Sequence, residues 1–131
     1  MKDLILREIE LTGKVLEAIL LKIGRILKNG GENHLSETVR DDMREGLGLD
    51  FDSVVAERDP AGTLTDRYGF DNGSLEKFAE ILYLLASSSP DTAARRQTAA
   101  AAISIYEYLE AHASCCFFDR YHIRKELEKY L

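Results

Sequence analysis

The sequence has no tryptophan, only two prolines and two cysteines, and an aromatic content of 8%. Aromatic residues favour strands, and proline interrupts helices, so these absences favour helix over sheet. A hydrophobic content of 45% and a charged content of 31% are typical of a globular chain and not of a disordered one. The composition therefore predicts an all-α protein in which residues 1–131 form a single helical domain.

Basic residues are fewer than acidic ones, 17 against 23, so the formal net charge is −6. Residues 1–28 carry a net +2, residues 32–59 a net −6 and residues 60–131 a net −2. No segment offers the basic stripe that neutralises a phosphate backbone, so a nucleic-acid partner is not expected. The acidic middle of the chain is typical of a solvated face, and a basic partner could dock there.

Long apolar runs are missing as well. Runs such as AILL and AAAAI are far shorter than the roughly 20 residues of a membrane-spanning helix, so no membrane association is expected. The first ten residues carry five charges, which leaves no apolar core for a signal peptide. We therefore expect a cytoplasmic protein whose two cysteines form no disulfide.

Apolar residues recur at helical spacing along most of the chain, which predicts about six helices arranged in antiparallel hairpins. A long first helix ends at Asn29–Gly31, and its apolar stripe is wide. Asp50 has the position of an N-cap for a short third helix that stops before Pro60. The clearest pattern spans residues 74–89, where Asn72 or Ser74 is the expected cap.

Residues 59–73, DPAGTLTDRYGFDNG, are rich in glycine, proline and aspartate, which predicts a long irregular loop. Tyr68 and Phe70 within it have two interpretations: they contact a partner, or they pack onto the core and pin the loop. Arg95 and Arg96, near the start of the next helix, either bind an anion or partner or lie on a solvated face.

Residues 112–122, HASCCFFDRYH, are the part of the chain richest in reactive side chains. We interpret them as the turn before the last helix, with Asp119 as the N-cap of that helix. A metal or redox site at His112, Cys115, Cys116 and His122 is the alternative. Adjacent cysteines in a helix diverge by about 100° and form a poor chelate, so no metal and no cofactor is expected.

Motif searches find no phosphate-binding glycine loop, no HExxH and no GxSxG. Nothing in the sequence supplies a nucleophile, a base and an oxyanion hole together. We therefore do not expect an enzyme.

The segments LEKFAEILYLLA, AAISIYEYLE and FFDRYHIRKELEKYL, together with the first helix, resemble a family of short uncharacterised bacterial proteins with a tetratricopeptide-like fold. The tryptophan and the 34-residue period of the regular repeat are absent, so the resemblance is to a degenerate array. It implies stacked helix pairs and a surface for another protein, and it brings no catalytic residue.

These observations lead to two hypotheses. The first is a non-catalytic scaffold or adaptor that binds another protein. The second is a structural protein that binds itself, as a homodimer through its apolar first helix.

Overall fold

The computed structural model describes residues 2–31, 34–89, 91–112 and 117–131. Every regular element in these ranges is a helix, which confirms the all-α prediction. The elements are α1 (Lys2–Lys28), α2 (Leu35–Leu47), α3 (Phe51–Ala56), α4 (Pro60–Tyr68), α5 (Asn72–Ser88), α6 (Thr92–His112) and α7 (Phe117–Glu128).

The end of α1 and the N-cap of α3 lie where the sequence predicts. After α1, Gly30 adopts a φ of 75°, and after α2, Gly48 adopts a φ of 62°. This left-handed backbone is costly for residues with a Cβ, so glycine is favoured at both ends. Asp50 caps α3 by accepting a hydrogen bond from the Ser53 N–H at 3.3 Å.

The prediction of a long loop over residues 59–73 is wrong, because Pro60–Tyr68 form α4. The aspartate, proline and glycine residues that predicted a loop instead mark the two ends of α4. The Asp59 carboxylate accepts from the Gly62 N–H at 3.0 Å, Pro60 begins the helix, and Gly69 ends it with a φ of 67°. Proline in the first turn and glycine just past the end are the usual asymmetry of a short helix.

Two predicted caps are also wrong. The cap of α5 is Asp71, whose carboxylate accepts from the Ser74 N–H at 2.9 Å, and not Asn72 or Ser74. Helix α7 already includes Phe117, so Asp119 lies inside its first turn and does not precede it. The chain becomes helical one or three residues earlier than the two expected caps of α5 imply, and three residues earlier than the expected cap of α7 implies.

Helix α5 lies at the centre of the molecule. It packs most extensively against α6, and it also contacts α1 and α7. Phe78 of α5 is fully buried, and its ring centroid lies 6.0 Å from that of Phe51 and 5.9 Å from that of Phe70. Burial of large apolar side chains is the main favourable term in folding, so this cluster joins α3 and the α4–α5 connection to the core.

Helix α7 is attached to α6 by apolar and ionic contacts. Leu127 is fully buried, and the Arg124 guanidinium lies 2.6 Å from a carboxylate oxygen of Glu110 and 3.6 Å from one of Glu107. The Tyr83 hydroxyl donates to Glu126 at 2.7 Å, which links α7 to α5 as well. These contacts fix α7 beside α5, where the two helices border a groove.

Candidate functional site: an acidic groove between α1, α5 and α7

A groove of about 750 Å³ lies where α1, α5 and α7 meet, with one α6 side chain at its base. In the part of the chain that the structure describes, its lining combines carboxylates, one lysine, one histidine and apolar groups. The lining residues are Glu17, Leu20, Leu21, Gly73, Glu76, Lys77, Glu80, Tyr106, His122 and Ile123.

Helical spacing explains why α5 presents charge to this groove. Gly73, Glu76, Lys77 and Glu80 follow one another at i, i+3, i+4 and i+7, so they share one face. The core residues of α5, such as Leu75, Phe78, Ala79 and Leu82, lie on another face and are buried. One helix therefore serves both the core and the groove.

Helix α1 is divided in the same way. Leu16, Ile19 and Ile23 are buried, whereas Glu17 and Leu21 lie four residues apart on the groove side. Leu21 remains 59% exposed. Because a fully buried leucine is stabilised by about 2 kcal/mol, this exposed side chain is a place where a partner can gain apolar contact.

The acidic groups of the groove interact with one another. The Lys77 ammonium lies 3.6 Å from a Glu17 carboxylate oxygen and bridges α5 to α1. Burial raises the pKa of Glu80 above its ordinary value, and the negative charges of Glu17 and Glu76 raise it further. Among the described lining residues, carboxylates therefore outnumber ammonium groups, with Glu17, Glu76 and Glu80 against Lys77.

Apolar groups form the base and part of the wall of the groove. Tyr106 is buried, and Leu20 and Ile123 are half-buried against the core. His122 is exposed at the α7 side. A concave surface with an apolar base and acidic walls fits a segment with an apolar face and cationic flanks.

The structure decides between the two interpretations of Phe70. Its side chain is only 4% exposed and packs edge-on against Phe78. Phe70 is therefore a core residue, and the partner-contact interpretation does not hold for it. Its neighbour Tyr68 ends α4 and is half-buried against the core.

Arg95 and Arg96 differ although they are adjacent. Arg96 is exposed, as expected for a solvated face. Arg95 is half-buried: its guanidinium donates to the Ser89 carbonyl oxygen and lies 5.2 Å from the centroid of the Tyr130 ring. The solvated-face interpretation is thus wrong for Arg95, which connects the C-terminal residues to the turn between α5 and α6.

The alternative metal site falls only partly within the described residues. Cys115 and Cys116 lie outside them. His112 Nδ1 lies 2.8 Å from the Tyr108 carbonyl oxygen, and its ring stacks on Tyr108 with centroids 4.1 Å apart. Within the described ranges, no group of three histidine, cysteine, aspartate or glutamate side chains is arranged to hold a metal ion.

The sequence interpretation missed the groove residues Glu17, Glu76 and Glu80. A signal for the α5 pair was present, since Glu76 and Glu80 are four apart and lie off the stripe of Leu75, Phe78, Ala79 and Leu82. The approach of Glu17 to them depends on how α1 crosses α5, which periodicity does not specify.

No helix within the described ranges is both long enough and apolar enough to cross a bilayer. Comparison with known protein families, with curated proteins and with solved structures finds no match for the chain. The function must therefore be argued from the surface itself.

Proposed function

We propose that this protein is a non-catalytic protein-interaction module, of the tetratricopeptide-like scaffold or adaptor type, working in the cytoplasm. Its ligand is a basic amphipathic helix of a partner protein, bound in the groove between α1, α5 and α7. The observation that carries the proposal is the exposed Leu21 beside three carboxylates and one lysine, among the lining residues that the structure describes.

Charge complementarity supports a basic ligand. Glu17, Glu76 and Glu80 line the groove together. Burial raises the pKa of Glu80, and the negative charges of Glu17 and Glu76 raise it further. A lysine or arginine from a ligand relieves that repulsion, whereas an acidic ligand increases it. The net charge of −6 favours the approach of a basic partner over long distances as well.

The size of the groove supports a short helical segment. About two turns of helix present three or four apolar side chains on one face, and they can contact Leu20, Leu21 and Ile123 together. Helix-in-groove binding of this kind uses apolar anchors for affinity and flanking charges for specificity.

The two cysteines support the proposed location in the cytoplasm. They are adjacent in the sequence and make poor disulfide partners, which fits a reducing compartment.

A designed peptide tests the proposal. The probe is a helical peptide of about 14 residues, roughly 21 Å long, with leucine on one face and lysine on the other. We expect it to bind, and we expect a peptide with glutamate in place of lysine to bind at least tenfold more weakly. Isothermal titration calorimetry measures both affinities.

A pair of matched triple variants locates the binding site. Glu17→Gln/Glu76→Gln/Glu80→Gln should weaken the lysine peptide about tenfold, because each exposed charge pair contributes up to about 1 kcal/mol. The control variant Glu37→Gln/Glu57→Gln/Asp66→Asn changes the net charge equally at exposed positions outside the groove and should keep the wild-type affinity. Equal losses in both variants, or equal binding of both peptides, would contradict the proposal.

A further inference from the structure

The Lys77 side chain extends from α5 across the acidic groove to α1. Its ammonium nitrogen lies 3.6 Å from a carboxylate oxygen of Glu17. A Cβ at Gly13, about one helical turn before Glu17, would also lie 3.6 Å from this nitrogen. Gly13 carries no side chain that competes for this position. The Lys77 ammonium therefore lies on the surface of α1, beside Gly13 and Glu17.

The ion pair between Lys77 and Glu17 is weak. The two side chains are 36% and 56% exposed, and the separation of 3.6 Å is longer than the about 2.8 Å of a short charge-assisted hydrogen bond. Exposed pairs contribute little to stability, so this one separates at a small cost. The flexible four-carbon stem of lysine allows the ammonium group to turn into solvent when another cation approaches Glu17.

We propose that Lys77 is a specificity-determining residue of the acidic groove: it occupies Glu17 in the free protein, and a lysine or arginine of the bound helix displaces it. This inference rests on the proposed function, because it concerns the same groove and the same basic ligand. Lys77 lowers the affinity for a basic helix in two ways, since it neutralises Glu17 in advance and repels the incoming cation. It thereby keeps weakly basic helices out of the groove.

The alternative role of Lys77 is to hold α5 against α1. Apolar packing already does this, because α1 packs against α5 and its residues Leu16, Ile19 and Ile23 are buried in the common core. An exposed ion pair adds little to such packing. Loss of the Lys77 ammonium should therefore leave the fold intact and change the binding of charged ligands.

Isothermal titration calorimetry of Lys77→Gln with the lysine peptide tests the proposal. We expect this variant to bind the peptide about fivefold more tightly than the wild type, the factor that one exposed charge pair supplies. Lys77→Arg keeps the positive charge and should keep the wild-type affinity. The control Lys28→Gln changes the net charge equally at an exposed position outside the groove lining, and it should change the affinity by less than about twofold.

A further peptide and a double variant identify how Lys77 acts. A peptide with glutamine in place of lysine carries no charge for Lys77 to repel, so it should bind the wild type and Lys77→Gln equally well. In a Glu17→Gln background, Lys77→Gln should raise the affinity for the lysine peptide by clearly less than about fivefold, because no carboxylate remains at residue 17 for Lys77 to occupy. Circular dichroism verifies that each variant remains helical.

The results separate this inference from the proposed function. If the lysine peptide binds the wild type but binds Lys77→Gln no more tightly than Lys28→Gln, the role of Lys77 is overturned and the groove remains the binding site. An equal gain for the lysine and glutamine peptides, or an equal gain with and without the Glu17 carboxylate, also overturns it. A lysine peptide that binds neither the wild type nor the Lys77 variants overturns the proposed function, and this inference with it.

Discussion

The surroundings of Glu80 change the pKa of its carboxyl group. Its carboxyl group is partly withdrawn from water and faces Glu17 of α1 and Glu76 of its own helix, and both effects raise its pKa. Lys77 and His122 also line this groove. Negative charge at this position therefore costs the folded protein free energy unless a cation approaches.

The variant Glu80→Gln should accordingly be more stable than the wild type at neutral pH. The folded-state pKa lies above the ordinary value of 4.5, so the stabilising protonated form is present below that value and is lost as the pH rises through the raised pKa. We expect the variant to melt at a higher temperature at about pH 7 and the difference to disappear at about pH 4.

Differential scanning calorimetry at the two pH values provides the measurement. Glu57→Gln, which changes an exposed carboxyl group outside the groove, is the matched control. A Glu80→Gln variant that is less stable than the wild type at neutral pH would show that the carboxylate is stabilising, contrary to this account.

Individual side chains differ in how far their sequence reveals their role. The apolar character of Phe70 is compatible with a core or a surface position, and only the approach of Phe78 decides between them. Arg95 lies at a helix start, where exposure is the usual outcome, yet Tyr130 from the end of the chain covers it. Both roles depend on residues distant in the sequence, which no local pattern specifies.

Among the helices, the short α4 shows the main ambiguity in reading this sequence. Aspartate, proline and glycine punctuate loops, and they also begin and end short helices. The buried residues of α4 are Pro60, Ala61 and Leu64, a pattern too short to indicate a helix by periodicity. The long helices α1, α5 and α6 were predictable because their apolar stripes repeat over several turns.

The N-cap of α5 can be tested by a single substitution. Asp71→Ala removes the carboxylate that accepts the Ser74 N–H, and we expect a loss of about 1 kcal/mol in the free energy of unfolding. Asp66→Ala, at an exposed position within α4, is the control and should change stability by less than about 0.5 kcal/mol.

Urea denaturation followed by circular dichroism gives both free energies. If the two variants have equal stability, the Asp71 carboxylate does not cap α5, and the boundary of this central helix would have to be revised.

Considered as a whole, the molecule packs α5 between its neighbours and leaves α1 with two partly exposed edges. One edge carries Leu21 and borders the acidic groove, and the other carries Leu11 and borders α2. The width of the apolar stripe in the sequence predicts that α1 needs cover on more than one side. It does not indicate which edge is left exposed, because that depends on where α2, α5 and α7 pack.

The most direct test of the central claim is a ¹H–¹⁵N NMR titration of the protein with the leucine–lysine peptide. We expect the largest shift changes at the amides of Glu17, Leu21, Glu76, Glu80 and His122, with those of the acidic α2–α3 surface, such as Glu37 and Asp52, almost unchanged. Changes centred on α2 and α3, or spread evenly over every acidic surface, would contradict the claim that the groove between α1, α5 and α7 is the binding site.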